Sequence, residues 1–153
     1  MVMTSKIQII QIMHSKRRYL DLLLIGDEQE SMIEKYLDRG DLYVGIISGK
    51  PIGVCVVTKE SETLIEIKNI AVLPDYRRKG IGHEILKFIE QRYKGCNIQL
   101  GTGETPSTLN FYYSAGYKYS HRIKGFFTKN YDHPIIEEDI LLKDMLYLIK
   151  KNI

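Results

Sequence analysis

The chain has 153 residues, of which 44% are hydrophobic, so it is long enough to bury the core of one domain and short for two. Its formal net charge is +3, and it lacks the long basic tract that is typical of nucleic-acid-binding proteins. We therefore predict a single domain over residues 1–153 that binds a small anionic ligand and no nucleic acid.

The N-terminal segment argues against secretion and against a membrane partner. Residues 1–13 alternate Ile7 and Ile9 with Gln8 and Gln11, without the unbroken apolar core or the small-residue cleavage site of a signal peptide. No apolar run approaches the ~18 residues that a membrane helix needs. We therefore interpret this segment as a first strand and expect a cytoplasmic protein.

Two helices are predicted after this strand. Residues 15–24 carry leucines at helical spacing, and Gly26 is expected to end that helix. Asp27 and Glu30 resemble a capping box, which predicts a second helix from Asp27 to Gly40. The apolar stripe of the second helix comprises Met32, Ile33, Tyr36 and Leu37.

The period then changes from helical to strand-like. Residues 41–48 and 51–58 are rich in β-branched and aromatic side chains, and the segment Ser48-Gly49-Lys50-Pro51 predicts a hairpin turn between them. Residues 64–73 form a third strand of the same type. The pattern therefore predicts three consecutive antiparallel strands.

The second half of the chain alternates helices and strands. Apolar residues recur at helical spacing over 81–93, residues 96–101 are strand-like, and a helix is predicted over 105–115. Residues 117–124 are predicted as a strand, and so is the ambiguous segment 137–151. This order of elements predicts an α/β sandwich around a largely antiparallel sheet.

The segment YRRKGIGHEIL, residues 76–86, predicts an anion site at the start of a helix. Backbone N–H groups at a helix N-terminus lack intrahelical partners, and the helix dipole adds positive charge there, so phosphate is the natural ligand. Gly80 and Gly82 lack a Cβ that would keep a diphosphate away from the main chain. The cationic run at 77–79 adds charge to the rim.

Two familiar phosphate loops do not fit this segment. A Walker A loop requires Lys and then Ser or Thr after its last glycine, whereas Lys79 precedes the glycine here and Ile81 follows it. A dinucleotide-binding fingerprint needs a tight turn directly after the strand and a small third residue, where this chain has a longer turn and Ile85. The remaining pattern, Arg-x-x-Gly-x-Gly, is given by Arg77, Gly80 and Gly82.

The segment IAVLPDYRRKGIGHEIL resembles the pyrophosphate-binding signature of the Gcn5-related N-acetyltransferase (GNAT) superfamily. The segments 101–117 and 133–145 resemble a subgroup of small GNAT proteins from Gram-positive bacteria, and the likeness extends over about residues 3–149. It implies a GNAT fold, with a mixed, mostly antiparallel sheet of about seven strands, helices on both faces, and splayed strands 4 and 5. It also implies acetyl-CoA as cosubstrate and an amine acceptor.

The resemblance implies coenzyme contacts residue by residue. The main chain of the strand before the loop would hold the pantetheine arm, and residues 78–83 would cradle the phosphates. His83 and Asn110 would contact the coenzyme or else face solvent. The implied coenzyme-binding residues are Ile70, Ala71, Val72, Arg77, Arg78, Lys79, Gly80, Ile81, Gly82, His83, Asn110 and Tyr112.

Acetyl transfer to an amine needs a base and an acid. A primary amine with a pKa of about 10 is mostly protonated at neutral pH, and the departing thiolate must be protonated. In the superfamily a Tyr-x-x-x-Gly-aromatic pattern marks the acid, and it selects Tyr112 here. Glu66 occupies the position of the glutamate base in the histone-acetyltransferase branch, and Glu104 is a second candidate. Alternatively, Tyr112 packs the helix and Glu66 is a surface carboxylate.

The cysteines and the remaining histidines give no metal site. Cys55 and Cys96 lie in apolar, strand-like runs and are interpreted as buried thiols, and neither belongs to a Cys-x-x-Cys pair. His14, His121 and His133 lack ligand partners at helical or strand spacing. We therefore expect no metal.

The acceptor is the part that the sequence determines least. The aromatic segment 125–140 is interpreted either as a lid on the acceptor pocket or as core or dimer contacts, and a homodimer is left open. The leading interpretation is transfer of an acetyl group to a primary amine of a small molecule, by direct attack in a ternary complex. The alternatives are a non-catalytic acyl-CoA-binding module and an acetyltransferase of a protein or peptide amine.

Overall fold

The computed structural model describes residues 6–153, which divide into two compact units. The first unit contains the chain up to Thr58 together with Lys68–Arg92, and the second contains Lys59–Ile67 and Tyr93–Ile153. Residues 1–5 of the predicted first strand lie outside the described part of the chain. The single domain over 1–153 stays a prediction.

The strands and helices follow the predicted alternation closely. The strands are β1 Gln8–Ile12, β2 Asp41–Ile47, β3 Lys50–Ser61, β4 Leu64–Val72, β5 Asn97–Gly103, β6 Lys118–Ile123, β7 Ile136–Glu137, β8 Ile140–Leu141 and β9 Met145–Lys150. The α-helices are α1 Leu20–Gly26, α2 Glu30–Ile33, α3 Ile81–Arg92, α4 Pro106–Ser114 and α5 Phe126–Asn130. Short 3-10 helices span Lys16–Tyr19 and Pro74–Tyr76.

Seven strands form one mixed sheet in the order β1-β2-β3-β4-β5-β9-β6, and β7 pairs with β8 in a separate hairpin. The pair β4–β5 is parallel, whereas β1–β2, β2–β3, β5–β9 and β6–β9 are antiparallel. The parallel ladder joins Leu64–Ile67 to Asn97–Leu100 and ends there, although both strands continue. The predicted seven-stranded, mostly antiparallel sheet with splayed strands 4 and 5 is confirmed.

The core of the first unit is built by α1, α2 and strands β1 to β4. Fully burying one of its large aliphatic side chains stabilises the fold by about 1.5–3 kcal/mol. Its buried members are Ile12, Leu22, Leu23, Ile33, Tyr36, Leu37, Leu42, Val44, Val54, Val56 and Ala71. Ile33, Tyr36 and Leu37 of the predicted apolar stripe therefore belong to this core, and Met32 is also buried.

The predicted extent of the second helix is wrong. It was expected from Asp27 to Gly40, but α2 covers one turn and residues 34–39 form further turns. Asp27 does not cap it, because its carboxylate accepts a hydrogen bond from the Tyr36 hydroxyl at 2.9 Å and the cap residue is Gln29. Gly40 is required for space, since a Cβ there would lie 2.7 Å from Cγ1 of Val56.

Gly26 is the last residue of α1, and it too lies where a neighbouring side chain leaves no room for a Cβ. A Cβ at Gly26 would lie 2.1 Å from Oδ1 of Asn69, on β4. The Asn69 amide nitrogen donates to the Leu23 carbonyl at 2.9 Å and to the Tyr36 hydroxyl at 3.1 Å. This buried polar contact fixes the end of α1 against the second half of β4.

The second unit confirms the predicted elements around α4 and revises the C-terminal segment. Thr105 is the N-cap residue of α4 and Pro106 its first residue, as predicted. The predicted strand 137–151 is instead the β7–β8 hairpin followed by β9, and the segment 125–140 contains α5.

None of the helices within residues 6–153 has the length and the apolar character that a membrane-spanning helix requires.

Candidate functional site

The end of β4 carries the three residues predicted to hold the pantetheine arm. Ala71 is buried, and Ile70 and Val72 are partly exposed. The Val72 carbonyl accepts a hydrogen bond from Nε of Arg77 at 3.0 Å. Because the donor is charged, this bond is a strong one, and it ties the strand end to the loop that follows.

The loop between the 3-10 turn and α3 is exposed from Arg77 to Gly80. Arg78 and Gly80 have positive φ angles of 60° and 79°, so both residues adopt the left-handed backbone conformation. A Cβ added at Gly80 would meet nothing within 4 Å, so the space beside its main chain is open. A side chain there would occupy the space in which an anion could approach the backbone.

The sequence missed one cationic neighbour of this loop. Two ammonium groups lie near the Tyr76 ring, with Nζ of Lys79 at 5.7 Å and Nζ of Lys50 at 5.8 Å from its centroid. Lys50 belongs to the β2–β3 hairpin and was interpreted only as a turn residue. No local pattern signals this approach, because it depends on the pairing of strands.

Helix α3 begins directly after Gly80 and presents its N-terminus to the loop. Its hydrogen bonding starts with the Glu84 amide, which donates to the Gly80 carbonyl at 3.0 Å. The amides of Ile81 and Gly82 precede that bond, and amides in this position lack intrahelical carbonyl partners. Burial of Ile81, and of further apolar residues along α3, anchors the helix, so the loop is held on a rigid element. The residues at 77–83 therefore fit a diphosphate.

Glu66 lies in the second unit and is not a surface carboxylate. Its residue is 4% exposed. Gln99, its register partner on β5, donates from Nε2 to one carboxylate oxygen at 2.6 Å. The Tyr147 hydroxyl on β9 donates to the other oxygen at 3.1 Å. The carboxylate is thus oriented by neutral donors from two strands.

Tyr147 was not among the predicted site residues, and His121 was predicted only to lack metal partners. The two rings stack in parallel with centroids 4.8 Å apart, and the residues are register partners on β6 and β9. Burial raises the pKa of the Tyr147 phenol above its ordinary value, and the charge of Glu66 adds to this effect. The phenol therefore stays protonated and remains a donor. A tyrosine in the apolar strand MLYLIK and a glutamine in NIQLG were the available signals.

Tyr112, the predicted acid, is 7% exposed on α4, whereas the adjacent Tyr113 is 43% exposed. Its ring makes edge-to-face contacts with Phe111 and Tyr117, at centroid distances of 5.0 Å and 5.9 Å. The spacing rule thus selected the inward-facing tyrosine of the pair. Asn110 is exposed.

Comparison with known proteins decides the family. The sequence profile of the family described as "Acetyltransferase (GNAT) domain" matches residues 38–119, more than half of the chain. The chain is also 33% identical over 132 residues to YvbK of Bacillus subtilis (strain 168), described as an uncharacterized N-acetyltransferase, covering 84% of this chain and 85% of YvbK. The chain belongs to the GNAT acetyltransferase family. The predicted family and enzyme class are confirmed.

Solved structures agree with this GNAT assignment. A GNAT family acetyltransferase from Elizabethkingia anophelis with acetyl-CoA bound is 32% identical, with a TM-score of 0.88 over 95% of this chain and 97% of that one. An IAA acetyltransferase from Bacillus cereus ATCC 14579 is 31% identical, with a TM-score of 0.87 over 95% of this chain and 99% of that one. The fold predicted from the GNAT resemblance is confirmed.

Within this GNAT chain, Glu104 is a poorer candidate base than Glu66. Its carboxylate accepts two hydrogen bonds from Arg122, at 2.9 Å and 3.0 Å. These bonds lower the pKa of Glu104, which weakens it as a proton acceptor. Arg122 also binds Asp144, whose other oxygen accepts the Gly125 amide at 2.8 Å, so the cluster fixes the start of α5.

The aromatic segment at 125–140 forms part of a small satellite core. Phe127, Ile135 and Leu142 are buried together, and the Phe127 and Tyr131 rings stack at 5.6 Å. A cavity of about 300 Å³ opens beside them. Its lining includes Phe127, Tyr131, Asp132, His133, Ile135 and Leu142.

The two thiols differ in burial. Cys55 is buried, which raises its pKa, as expected of an inert core thiol. Cys96 is only partly buried, with Sγ donating to the Glu62 carbonyl at 3.5 Å, so the prediction that both are buried is wrong for Cys96, which lies at the turn before β5. Among residues 6–153, no three His, Cys, Asp or Glu residues are grouped so that they could hold a metal ion.

Proposed function

We propose that the chain transfers an acetyl group from acetyl-CoA to the primary amine of a small molecule, by direct attack in a ternary complex. The observation that carries this proposal is the exposed loop from Arg77 to Gly80 at the N-terminus of α3, with open space beside Gly80. The acetyl-CoA bound in the Elizabethkingia anophelis enzyme, at 32% identity, supports the same coenzyme here.

The coenzyme contacts are proposed as the sequence analysis predicted them. The main chain at Ile70–Val72 holds the pantetheine arm, although the Val72 carbonyl already accepts from Arg77. Amides at the start of α3 bind the diphosphate, and the side chains of Arg78 and Lys79 add charge at the rim. His83 and Asn110 complete the predicted contacts.

Glu66 and Tyr112 are proposed as base and acid. Glu66 takes the proton that the acceptor nitrogen releases as the new C–N bond forms and the C–S bond breaks, and Tyr112 gives its proton to the departing sulfur. Burial and two neutral donors support the choice of Glu66 over the ion-paired Glu104. A phenol suits the acid role because its ordinary pKa is close to that of a thiol.

A small-molecule acceptor is supported by the cavity in the C-terminal segment. Its volume of about 300 Å³ is at the lower end of the range for small-ligand pockets. Stacked aromatic rings line it, and Asp132, whose carboxylate contacts Nδ1 of His133 at 2.7 Å, adds negative charge beside them. A homodimer and a cytoplasmic location stay predictions from the sequence.

The decisive experiment on the coenzyme is calorimetry of acetyl-CoA binding to Gly82→Asp. We expect binding to be abolished, because a carboxylate would clash with the diphosphate in space and in charge. The helix itself should fold, since Asp is favoured in a first turn. The matched control is Gln91→Glu, which adds one negative charge to an exposed position of α3. Binding that survives in Gly82→Asp would contradict the proposed coenzyme site.

The acceptor is identified by CoA release with a panel of polyamines, amino sugars, aromatic amines and peptides with free N-termini. A small amine should give the highest rate of CoA release. If a peptide gives the highest rate, the chain would instead be an acetyltransferase of a protein or peptide amine. Tight acetyl-CoA binding without CoA release for any amine would instead favour the non-catalytic binding module.

A further inference from the structure

The hydrogen bond from Tyr147 to Glu66 crosses an intervening strand. Tyr147 lies on β9, Glu66 on β4, and β5 runs between them in the sheet. Tyr147 pairs in register with Gly101 of β5, and a Cβ on Gly101 would lie 3.2 Å from Cε2 of the tyrosine ring. The same Cβ would lie 2.4 Å from Sδ of Met145, so the space that Gly101 leaves open is shared by the Met145 side chain and the Tyr147 ring, which lies over β5 and reaches the carboxylate.

The two donors to Glu66 differ in what they can do when the carboxylate is protonated. The Gln99 nitrogen can only donate, so it serves the ionised carboxylate unless the amide turns over. A tyrosine hydroxyl both donates and accepts, so rotation of its O–H lets it accept from a neutral carboxyl group. Glu66 alternates between these two states once in every turnover if it is the base.

We propose that Tyr147 is a positioning residue that holds the Glu66 carboxylate for proton uptake and then accepts a hydrogen bond from the protonated carboxyl group. This inference rests on the proposed role of Glu66 as the base. The stacked His121 ring fixes the plane of the phenol, and the register of β6, β9 and β5 fixes its position over Gly101.

The ionisable groups that act on this phenol or contact it come from three strands. Glu66 on β4 and Glu60 on β3 act on the phenol by their charges, and both make its ionisation harder. His121 contacts it from β6. Gln99, from β5, is neutral. A phenol in these surroundings remains a neutral partner while Glu66 gains and loses a proton.

The first test uses the full chain and needs no acceptor. Carbon-13 NMR of carboxyl-labelled glutamate observes the Glu66 carboxylate at neutral pH, and its resonance is assigned by its loss in Glu66→Gln. In Tyr147→Phe we expect the chemical shift of this resonance to change, because the carboxylate loses the hydrogen bond that the Tyr147 hydroxyl donates at 3.1 Å. The matched control is Tyr119→Phe, which removes a hydroxyl from a 52% exposed tyrosine of β6 and should leave the resonance in place. An unchanged Glu66 resonance in Tyr147→Phe would overturn the proposal.

The second test is kinetic and uses the amine that gives the fastest CoA release. Tyr147→Phe should lower kcat roughly tenfold, as expected for one hydrogen bond to a charged group, with the KM for acetyl-CoA unchanged. The acidic limb of the kcat/KM profile should move to higher pH. A raised KM for the amine with unchanged kcat would overturn the positioning role and assign Tyr147 to acceptor binding.

Failure of this inference and failure of the proposed function give different results. If no amine gives CoA release, the proposed function is wrong. If Glu66→Gln retains full activity, the chain is an acetyltransferase, but Glu66 is not the base and the inference is wrong. If Glu66→Gln is inactive while Tyr147→Phe keeps the kcat and pH profile of the unsubstituted chain, only the inference is wrong. In the double variant we expect no loss beyond that of Glu66→Gln alone, because Tyr147 acts through Glu66. A further, additive loss would also contradict the inference.

Discussion

The glycine loop and the Glu66 cluster are built in opposite ways. The loop is one exposed stretch, residues 77–83, in which main-chain amides and glycine conformations do most of the proposed binding. The Glu66 cluster is buried and is assembled from β4, β5 and β9, with partners as far as 81 residues apart. Local spacing therefore encodes the first, and strand order creates the second.

This contrast separates the expected effects of substitution. Changes in the loop should act on the affinity for acetyl-CoA, because nothing in it is proposed to exchange a proton. Changes at Glu66, Tyr147 or Tyr112 should act on the rate and its pH dependence. A substitution that moved both quantities together would weaken the contrast.

The largest effect on rate should come from Tyr112→Phe. We expect turnover to fall by roughly 10² to 10⁴, the usual contribution of a general acid, with acetyl-CoA affinity nearly unchanged. The matched control is Tyr113→Phe, which removes the hydroxyl of the neighbouring exposed tyrosine. Steady-state CoA release and calorimetry measure the two quantities. Equal turnover in Tyr112→Phe would remove this phenol from the mechanism and leave it as a packing residue.

The sequence predicted the strand and the helix on either side of the loop because their signals are contiguous. The glycine spacing, the preceding strand and the apolar period of α3 all lie within residues 64–93, and each reflects a local rule of backbone geometry. The Tyr-x-x-x-Gly spacing likewise selected Tyr112, the buried one of two adjacent tyrosines. Tyr112 and Tyr113 both lie at the end of α4, so this signal is also local.

The sequence could not predict the partners of Glu66. They depend on the insertion of β9, the last strand in sequence, between β5 and β6. Local rules also failed at Asp27, where a capping pattern was present but the carboxylate binds Tyr36 instead. In each case a tertiary contact decided the role of a polar side chain whose local sequence allowed several.

An intermediate effect, on stability, is expected from Gly26→Ala. The new methyl group would lie 2.1 Å from Oδ1 of Asn69 and 3.2 Å from the Ile70 carbonyl. Asn69 is 3% exposed and bound to Leu23 and Tyr36, so it cannot move aside cheaply. We expect the free energy of unfolding in urea to fall by about 1–3 kcal/mol.

The control for Gly26→Ala is a double-mutant cycle with Asn69→Ala. Because the closest contact is with the Asn69 side chain, the cost of the added methyl group should shrink markedly in the Asn69→Ala background. Strictly additive losses would mean that the clash is with the backbone of β4. That result would also imply that Gly26→Ala displaces the strand predicted to hold the pantetheine arm.

The smallest effect should come from Arg78→Gln, which tests whether main chain or side chains dominate in the loop. Arg78 is exposed, and the contribution of an exposed charge is modest and screened by salt. We expect acetyl-CoA affinity to fall only severalfold, and less at high salt, with Lys87→Gln on the exposed face of α3 as the control that removes the same charge. A loss of about a hundredfold, near 2.7 kcal/mol, would assign the main phosphate contact to the guanidinium. The amides at the start of α3 would then be secondary, and the contrast between a main-chain site and a side-chain site would no longer hold.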